Sequence, residues 1–130
     1  MYTKSLIDSL IIEVDKALRS IVVPDKRSSL RQSPADNLKD TNLSAQEKKL
    51  IAGLMRVNHA GEVSAQALYQ GQALTAELEH VKENIKRAAM EENDHLAWCE
   101  QRLVELQARP SLLNCLWYSG SFLIGALLGP

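Results

Sequence analysis

Cysteine is scarce in this chain: Cys99 and Cys115 stand alone, with no CxxC pair and no further pair to make a disulfide framework. That excludes a disulfide-stapled scaffold and favours a reducing, cytosol-facing compartment. An excess of one charge is also missing, with 15 Lys and Arg against 16 Asp and Glu. Nucleic acid is therefore excluded as the main partner, because phosphate binding needs a concentrated basic surface. No secretory signal is evident, since the apolar residues after Lys4 are broken by Asp8, Glu13 and Asp15. Aromatics are few, and Gly and Pro are not abundant. What remains is rich in Leu, Ala, Glu, Gln, Ile and Val, a composition that favours helix. The 130 residues allow one domain.

Hydrophobic spacing divides the chain into three parts. Residues 1–23 hold Leu6, Ile7, Leu10, Ile11, Val14, Leu18 and Ile21 at helical intervals, with Asp8, Glu13, Lys16 and Arg19 between them. This predicts a short amphipathic helix that packs on the main body or lies on a membrane surface. Residues 24–43 are polar, contain two prolines, and read as a mobile linker. Residues 44–130 carry the main domain. Ser44 and Glu47 have the spacing of a capping box, so a long helix is expected from about 45 to about 76. Gly53, Gly61 and Gly71 each cost about 1 kcal/mol there, and close approach of a neighbouring helix is the expected reason. A turn near residue 77 leads to a second helix, from about 79 to about 108, ended by Arg109-Pro110.

The last segment, 112–129, is apolar and uncharged. Two short helical spans on either side of Asn114 are one reading. Ser121, Gly125 and Gly129 recur every four residues and permit close helix packing. Helix in a bundle core fits best. Partial immersion in a bilayer is the next reading, and a transmembrane helix the last. The apolar sequence runs to Pro130 without a polar tail, as expected of an incomplete bundle.

One constellation can carry chemistry. Glu92 and His95 lie three apart on one face of the second long helix. Glu77 and His80 have the same spacing, and His59 and Glu62 have it in reverse. With the turn at 77, Glu62 and Glu92 stand equally far from it and reach the same height in an antiparallel hairpin. Glu77 and His80 fall in the turn itself. The expected facing stripes are Met55, Asn58, Glu62, Ala65 and Tyr69 against Ile85, Ala88, Glu92, His95, Cys99, Leu103 and Leu106. A bound cation is a good reason to bring two carboxylates into such stripes. Spacing alone also allows solvated carboxylates and an ordinary core histidine. A Glu from each of two helices and a Glu-x-x-His from each of two others make the ferritin-like di-metal set. Half of that set is here.

The segments Leu54-Met-Arg-Val-Asn-His-Ala-Gly-Glu62, Ala67-Leu-Tyr-Gln-Gly-Gln72, Glu92-Asn-Asp-His-Leu96 and Arg109-Pro110 are specific in combination. Over roughly residues 50–129, and more loosely in the N-terminal helix, the chain resembles the demethoxyubiquinone hydroxylase family in its bacterial form. The resemblance implies an all-α, ferritin-like di-iron bundle, attached peripherally to the cytoplasmic side of the cell inner membrane. It implies hydroxylation of a polyprenyl demethoxyquinol by O2 in ubiquinone biosynthesis. It makes Glu62 a terminal ligand of one iron, Glu92 a bridging carboxylate and His95 a nitrogen ligand on the same iron as Glu62. His59, Glu77 and His80 match no ligand position. Asp94 and Tyr69 are candidates for supporting the ligands, with a solvated acid and a packing aromatic as the alternatives.

The chain departs from the family in two ways. Cys115 stands where a proline commonly follows Leu-Asn, and no Glu, Asp or His occurs after Glu105. Family members continue with a third-helix Glu and a second Glu-x-x-His, so this chain is expected to supply half the ligands of a two-iron site. Two alternatives stay open. One is a half-site chain that binds metal only as a homodimer; the other is a membrane-associated helical protein without catalysis. Other ubiquinone-biosynthesis proteins are further candidate partners.

Overall fold

The computed structural model describes Lys4–Gly129. Met1–Thr3 and Pro130, the outer ends of the first and last expected segments, lie outside the described residues. Among the described residues there are four helices and no strand: α1 (Leu6–Ile21), α2 (Ala45–Thr75), α3 (Glu79–Glu105) and α4 (Asn114–Leu128). The all-α expectation holds.

Local chemistry explains most boundaries. The Ser44 hydroxyl accepts from the Glu47 amide at 3.2 Å, and the Glu47 carboxylate accepts from the Ser44 amide at 2.7 Å. The predicted capping box therefore starts α2. Ser5 and Asp8 form a second box at the start of α1. The turn between α2 and α3 falls at residues 76–78, where it was expected. α3 stops at Glu105, three residues before the predicted end. Gln107 adopts φ 55°, the Ala108 amide donates to the Leu103 carbonyl, and the Gln107 amide donates to Val104. This left-handed terminus ends the helix before Pro110 can.

The long helix α2 is the axis of the molecule, with α3 on one side and α4 on the other; α3 and α4 make no close backbone contact with each other. Val63, Ala67, Leu96 and Tyr118 form the core, and Ala17, Ile21 and Phe122 pack against it. Because α2 serves two partners, its buried face is broad: Ala52, His59, Val63, Gln66, Ala67 and Gly71 lie within an arc of about 140°. The buried face of α3 is centred on Leu96 and Leu103. The expected stripe through Met55, Asn58, Glu62 and Tyr69 is displaced from this packing face, with Asn58 exposed and the other three half-buried.

Only one of the three glycines of α2 meets a close neighbour. A Cβ on Gly71 would lie 2.8 Å from the Ala126 amide nitrogen and closer still to the Phe122 carbonyl oxygen. A Cβ on Gly125 would press equally on the Leu68 carbonyl. α2 and α4 thus cross backbone against backbone, the small-residue packing foreseen for α4. Gly53 and Gly61 have nothing within 4 Å, so close approach does not explain them here. α4 is one helix starting at Asn114, with no second span before it. No helix among the described residues is long and apolar enough to cross a membrane.

The segment before α2 does not behave as the loose linker expected. Arg27 bonds to Glu100 and Leu30 and Arg31 bond to Asp94, both on α3, and Asp40 accepts from Arg102. A cavity of about 780 Å³ lies between this segment and α3, bordered by Arg27, Gln32, Trp98 and Gln101.

Candidate metal centre

The sequence-predicted trio converges. Glu62 comes from the middle of α2, and Glu92 and His95 come from one face of α3. One ligand atom from each lies within 4.8 Å of the other two. His95 Nδ1 is 3.0 Å from Glu92 Oε2 and 3.8 Å from Glu62 Oε2. The hairpin holds the two helices in register partly through Gln66, whose amide donates to the Ala89 carbonyl at 2.8 Å. Glu77 and His80 are exposed in and beside the turn, apart from the cluster.

Two carboxylates cannot be brought together as anions without cost. Burial, then the hydrogen bond with Glu92 and its charge, push Glu62 up to about 8. The hydrogen bond from Glu62 holds Glu92 below its ordinary value, helped by His95. Without a cation, Glu62 is accordingly the protonated partner near neutral pH and Glu92 the anion. The trio is a hard–borderline donor set of two carboxylates and one imidazole, the chemistry that suits Fe(II). It is partly open: the side chains of Glu62, Glu92 and His95 are 24%, 21% and 40% exposed. Cys99, one turn beyond His95, is a thiol pushed up to about 11 by burial and by the nearby Glu62 and Glu100 charges. It is a neutral neighbour at pH 7.

Of the two candidate supporting residues, Asp94 turns to the segment before α2, where it accepts from the Leu30 amide at 2.7 Å and Arg31 Nε at 2.9 Å. Tyr69 makes no hydrogen bond among the described residues. Beside the cluster lies Trp98, whose ring centroid is 5.4 Å from that of His95.

Sequence reasoning missed a second polar layer. His59 is fully buried, with Nε2 3.3 Å from Glu100 Oε1 and Nδ1 3.4 Å from the Asn114 amide nitrogen. Arg27 closes the layer with two bonds of 2.9 Å to the Glu100 carboxylate, and its Nη1 donates to the Arg19 carbonyl. Burial raises the Glu100 pKa, but the bonds from His59 and Arg27 outweigh it and hold the carboxyl below its usual range. This layer joins α2, α3, α4 and the preceding segment, one turn along α2 from Glu62. The available signal was His59 itself, a histidine on the inner side of a helix without a ligand role.

The family model described as "Ubiquinone biosynthesis protein COQ7" matches residues 49–129. A 3-demethoxyubiquinol 3-hydroxylase of Legionella pneumophila (strain Paris) is 69% identical over 129 residues, which is 99% of this chain and 61% of the relative. One from Acinetobacter baumannii (strain ATCC 17978) is 54% identical over 123 residues, 95% of this chain and 57% of the relative. The chain thus spans about three fifths of the length of the curated relatives it matches. No solved structure matches it significantly.

Proposed function

The chain belongs to the ubiquinone biosynthesis protein COQ7 family, and from that premise we propose that it forms part of a 3-demethoxyubiquinol 3-hydroxylase. In this reading the whole protein hydroxylates a polyprenyl demethoxyquinol with O2, and this chain contributes Glu62, Glu92 and His95 to a di-iron centre. The observation that carries the reading is the meeting of those three side chains from two helices within 4.8 Å. The residues fit the metal: a half-buried carboxylate pair that must otherwise hold a proton gains from a cation placed between them. When bound, paired irons supply the electrons and open coordination positions needed to activate O2.

The protein's own groups set the conditions for that chemistry. Glu92 accepts a hydrogen bond from His95 Nδ1 at 3.0 Å, which keeps the imidazole beside the carboxylate pair until a cation takes that proton's place. Glu62 gives up its proton as a cation enters. Three donors are too few for two irons, so the other carboxylates and imidazole come from another helical pair, in the remaining length of the relatives or in a second copy.

The test is iron content and turnover. A protein of the relatives' full length should hold two irons and convert a short-chain demethoxyquinol with O2. Glu92→Ala should abolish both. Full turnover by Glu92→Ala would overturn the reading. Metal binding by this chain only as a dimer, without hydroxylation by any longer form, would favour the half-site alternative.

Peripheral attachment to the cytoplasmic face of the inner membrane is part of the same proposal. The apolar face of α1 is open, with Leu6, Ile7 and Leu10 exposed, and α4 exposes Leu116, Leu123 and Leu127. Co-sedimentation with anionic vesicles should fall in a Leu10→Glu/Leu123→Glu variant. Unchanged binding would remove this part.

A further inference from the structure

We infer that residues 27–31 form a strap that fixes the rotation of α3, and that Arg27 and Arg31 are positioning residues for Glu92 and His95. The strap lies along α3 and bonds to three of its side chains. Arg27 grips Glu100 with two bonds of 2.9 Å. The Leu30 amide and Arg31 Nε hold the two oxygens of Asp94. Asn93 donates to the Ser28 carbonyl at 3.1 Å, and the Arg31 guanidinium sits 5.3 Å from the Trp98 ring centroid. Asp94 and Glu100 are both buried, at 1% and 5% exposure.

Their placement around the helix gives the strap its leverage. At about 100° per residue, Asp94 and Glu100 lie roughly 120° apart on α3. The direction midway between them points away from the face shared by Glu92, His95 and Cys99. Two tethers behind the ligand face resist turning of α3 in either sense. Trp98 links the strap to the site, since its ring centroid lies 5.3 Å from the Arg31 guanidinium and 5.4 Å from the His95 ring centroid. Partners that orient metal ligands typically change affinity by about 10- to 100-fold when lost.

The inference rests on the reading of Glu92 and His95 as metal ligands, so one measurement must not involve metal. The variant is Arg27→Met/Arg31→Met, with Ile85→Val as a control that loosens the buried start of α3 away from the strap. Metal-free, the variant should lose hydrogen-exchange protection at the Leu30 amide and the proton contact between the His95 and Trp98 rings. With Co(II) alone as probe, affinity should fall about tenfold and the ligand-field spectrum should change. Ile85→Val should lower thermal stability and leave ring contact and spectrum intact. A strap that is released while ring contact, affinity and spectrum stay as in the parent overturns the inference. Undiminished protection at Leu30 also overturns it, because the two arginines would not be what holds the segment. Should the double variant fail to fold, Arg31→Met, with its half-exposed side chain, decides by the same readouts. A parent chain that binds no Co(II) counts against the metal reading, and the ring contact still decides the strap.

Discussion

Adding a divalent cation to this chain should release protons, in a number that falls as the pH rises. Glu62 is pushed up to about 8 by burial and by its hydrogen bond with Glu92. A carboxyl with that value is about nine-tenths protonated at pH 7, half at pH 8 and roughly one-tenth at pH 9. The ligand must be the carboxylate, so cation binding should release about 0.9 proton from Glu62 at pH 7 and about 0.1 at pH 9. Apparent affinity should rise about fivefold between pH 7 and 8 and less than twofold from pH 8 to 9. Calorimetry in buffers of different ionisation enthalpy measures the proton count directly, with Co(II) as the cation. The Glu62→Gln variant should lose this release. The sign for stability follows from the same shift. A carboxyl raised on folding contributes stability that is complete below its unfolded value, near 4.5, and is lost as the pH rises through about 8. A cation restores what is lost, so the gain in melting temperature on adding it should grow from pH 7 to 9. Binding at pH 7 with no proton released, and affinity flat from pH 7 to 9, would refute the reasoning.

Other expectations concern the scaffold. Gly71→Ala should destabilise by more than about 3 kcal/mol in urea, because its Cβ would drive α2 off the backbone of α4; Gly53→Ala, with open space around it, should stabilise by about 1 kcal/mol. Gln107→Gly should raise stability by about 1 kcal/mol in the same assay, since φ 55° costs a side chain and suits glycine. Glu100→Ala should cost about 3–5 kcal/mol by leaving the buried Arg27 guanidinium unpaired. Acid should act on the same groups: Asp94, held low chiefly by its bond with Arg31, and Glu100 contribute stability that is present above the ordinary carboxylate range and lost as the pH falls below it. Circular dichroism against pH should show that acid transition move upward in Arg31→Met.

The parts of this molecule that were legible in the sequence are those decided over short separations. Ser44 and Glu47 are three residues apart and settle the start of α2 between themselves. The trio was legible for a related reason. Once a turn sits at 76–78, the rise per residue places 62 opposite 92 without knowledge of anything else. The strap was not legible, because Arg27 meets Glu100 across 73 positions and Arg31 meets Asp94 across 63. A stretch of polar residues with two prolines has the same composition whether it drifts or is clamped by two arginines. The packing face of α2 was misjudged by part of a turn for another physical reason. Two partners share one broad buried face of about 140° on α2, and the expected stripe is centred about a third of a turn to one side of it, because polar residues such as His59 and Gln66 lie on that face and hide it from a hydrophobic pattern.

The two flanks of α2 are built differently, and the difference bears on the site. Toward α4 the contact is backbone on backbone at Gly71 and Gly125, which leaves no freedom for sliding. Toward α3 the contact is made by side chains and by the polar layer of His59 and Glu100, and the ligand face opens beside it. On the flank of α2 next to Glu62, Leu50, Leu54 and Val57 are exposed at helical spacing, and Gly61 faces open space in line with them. An apolar stripe with a glycine at its end is suited to receive a helix at close range. A helix seated there would cover the open edge of the carboxylate pair as well as the stripe. On the di-iron reading proposed above, a helix in that place would be the source of the donors that Glu62, Glu92 and His95 do not supply.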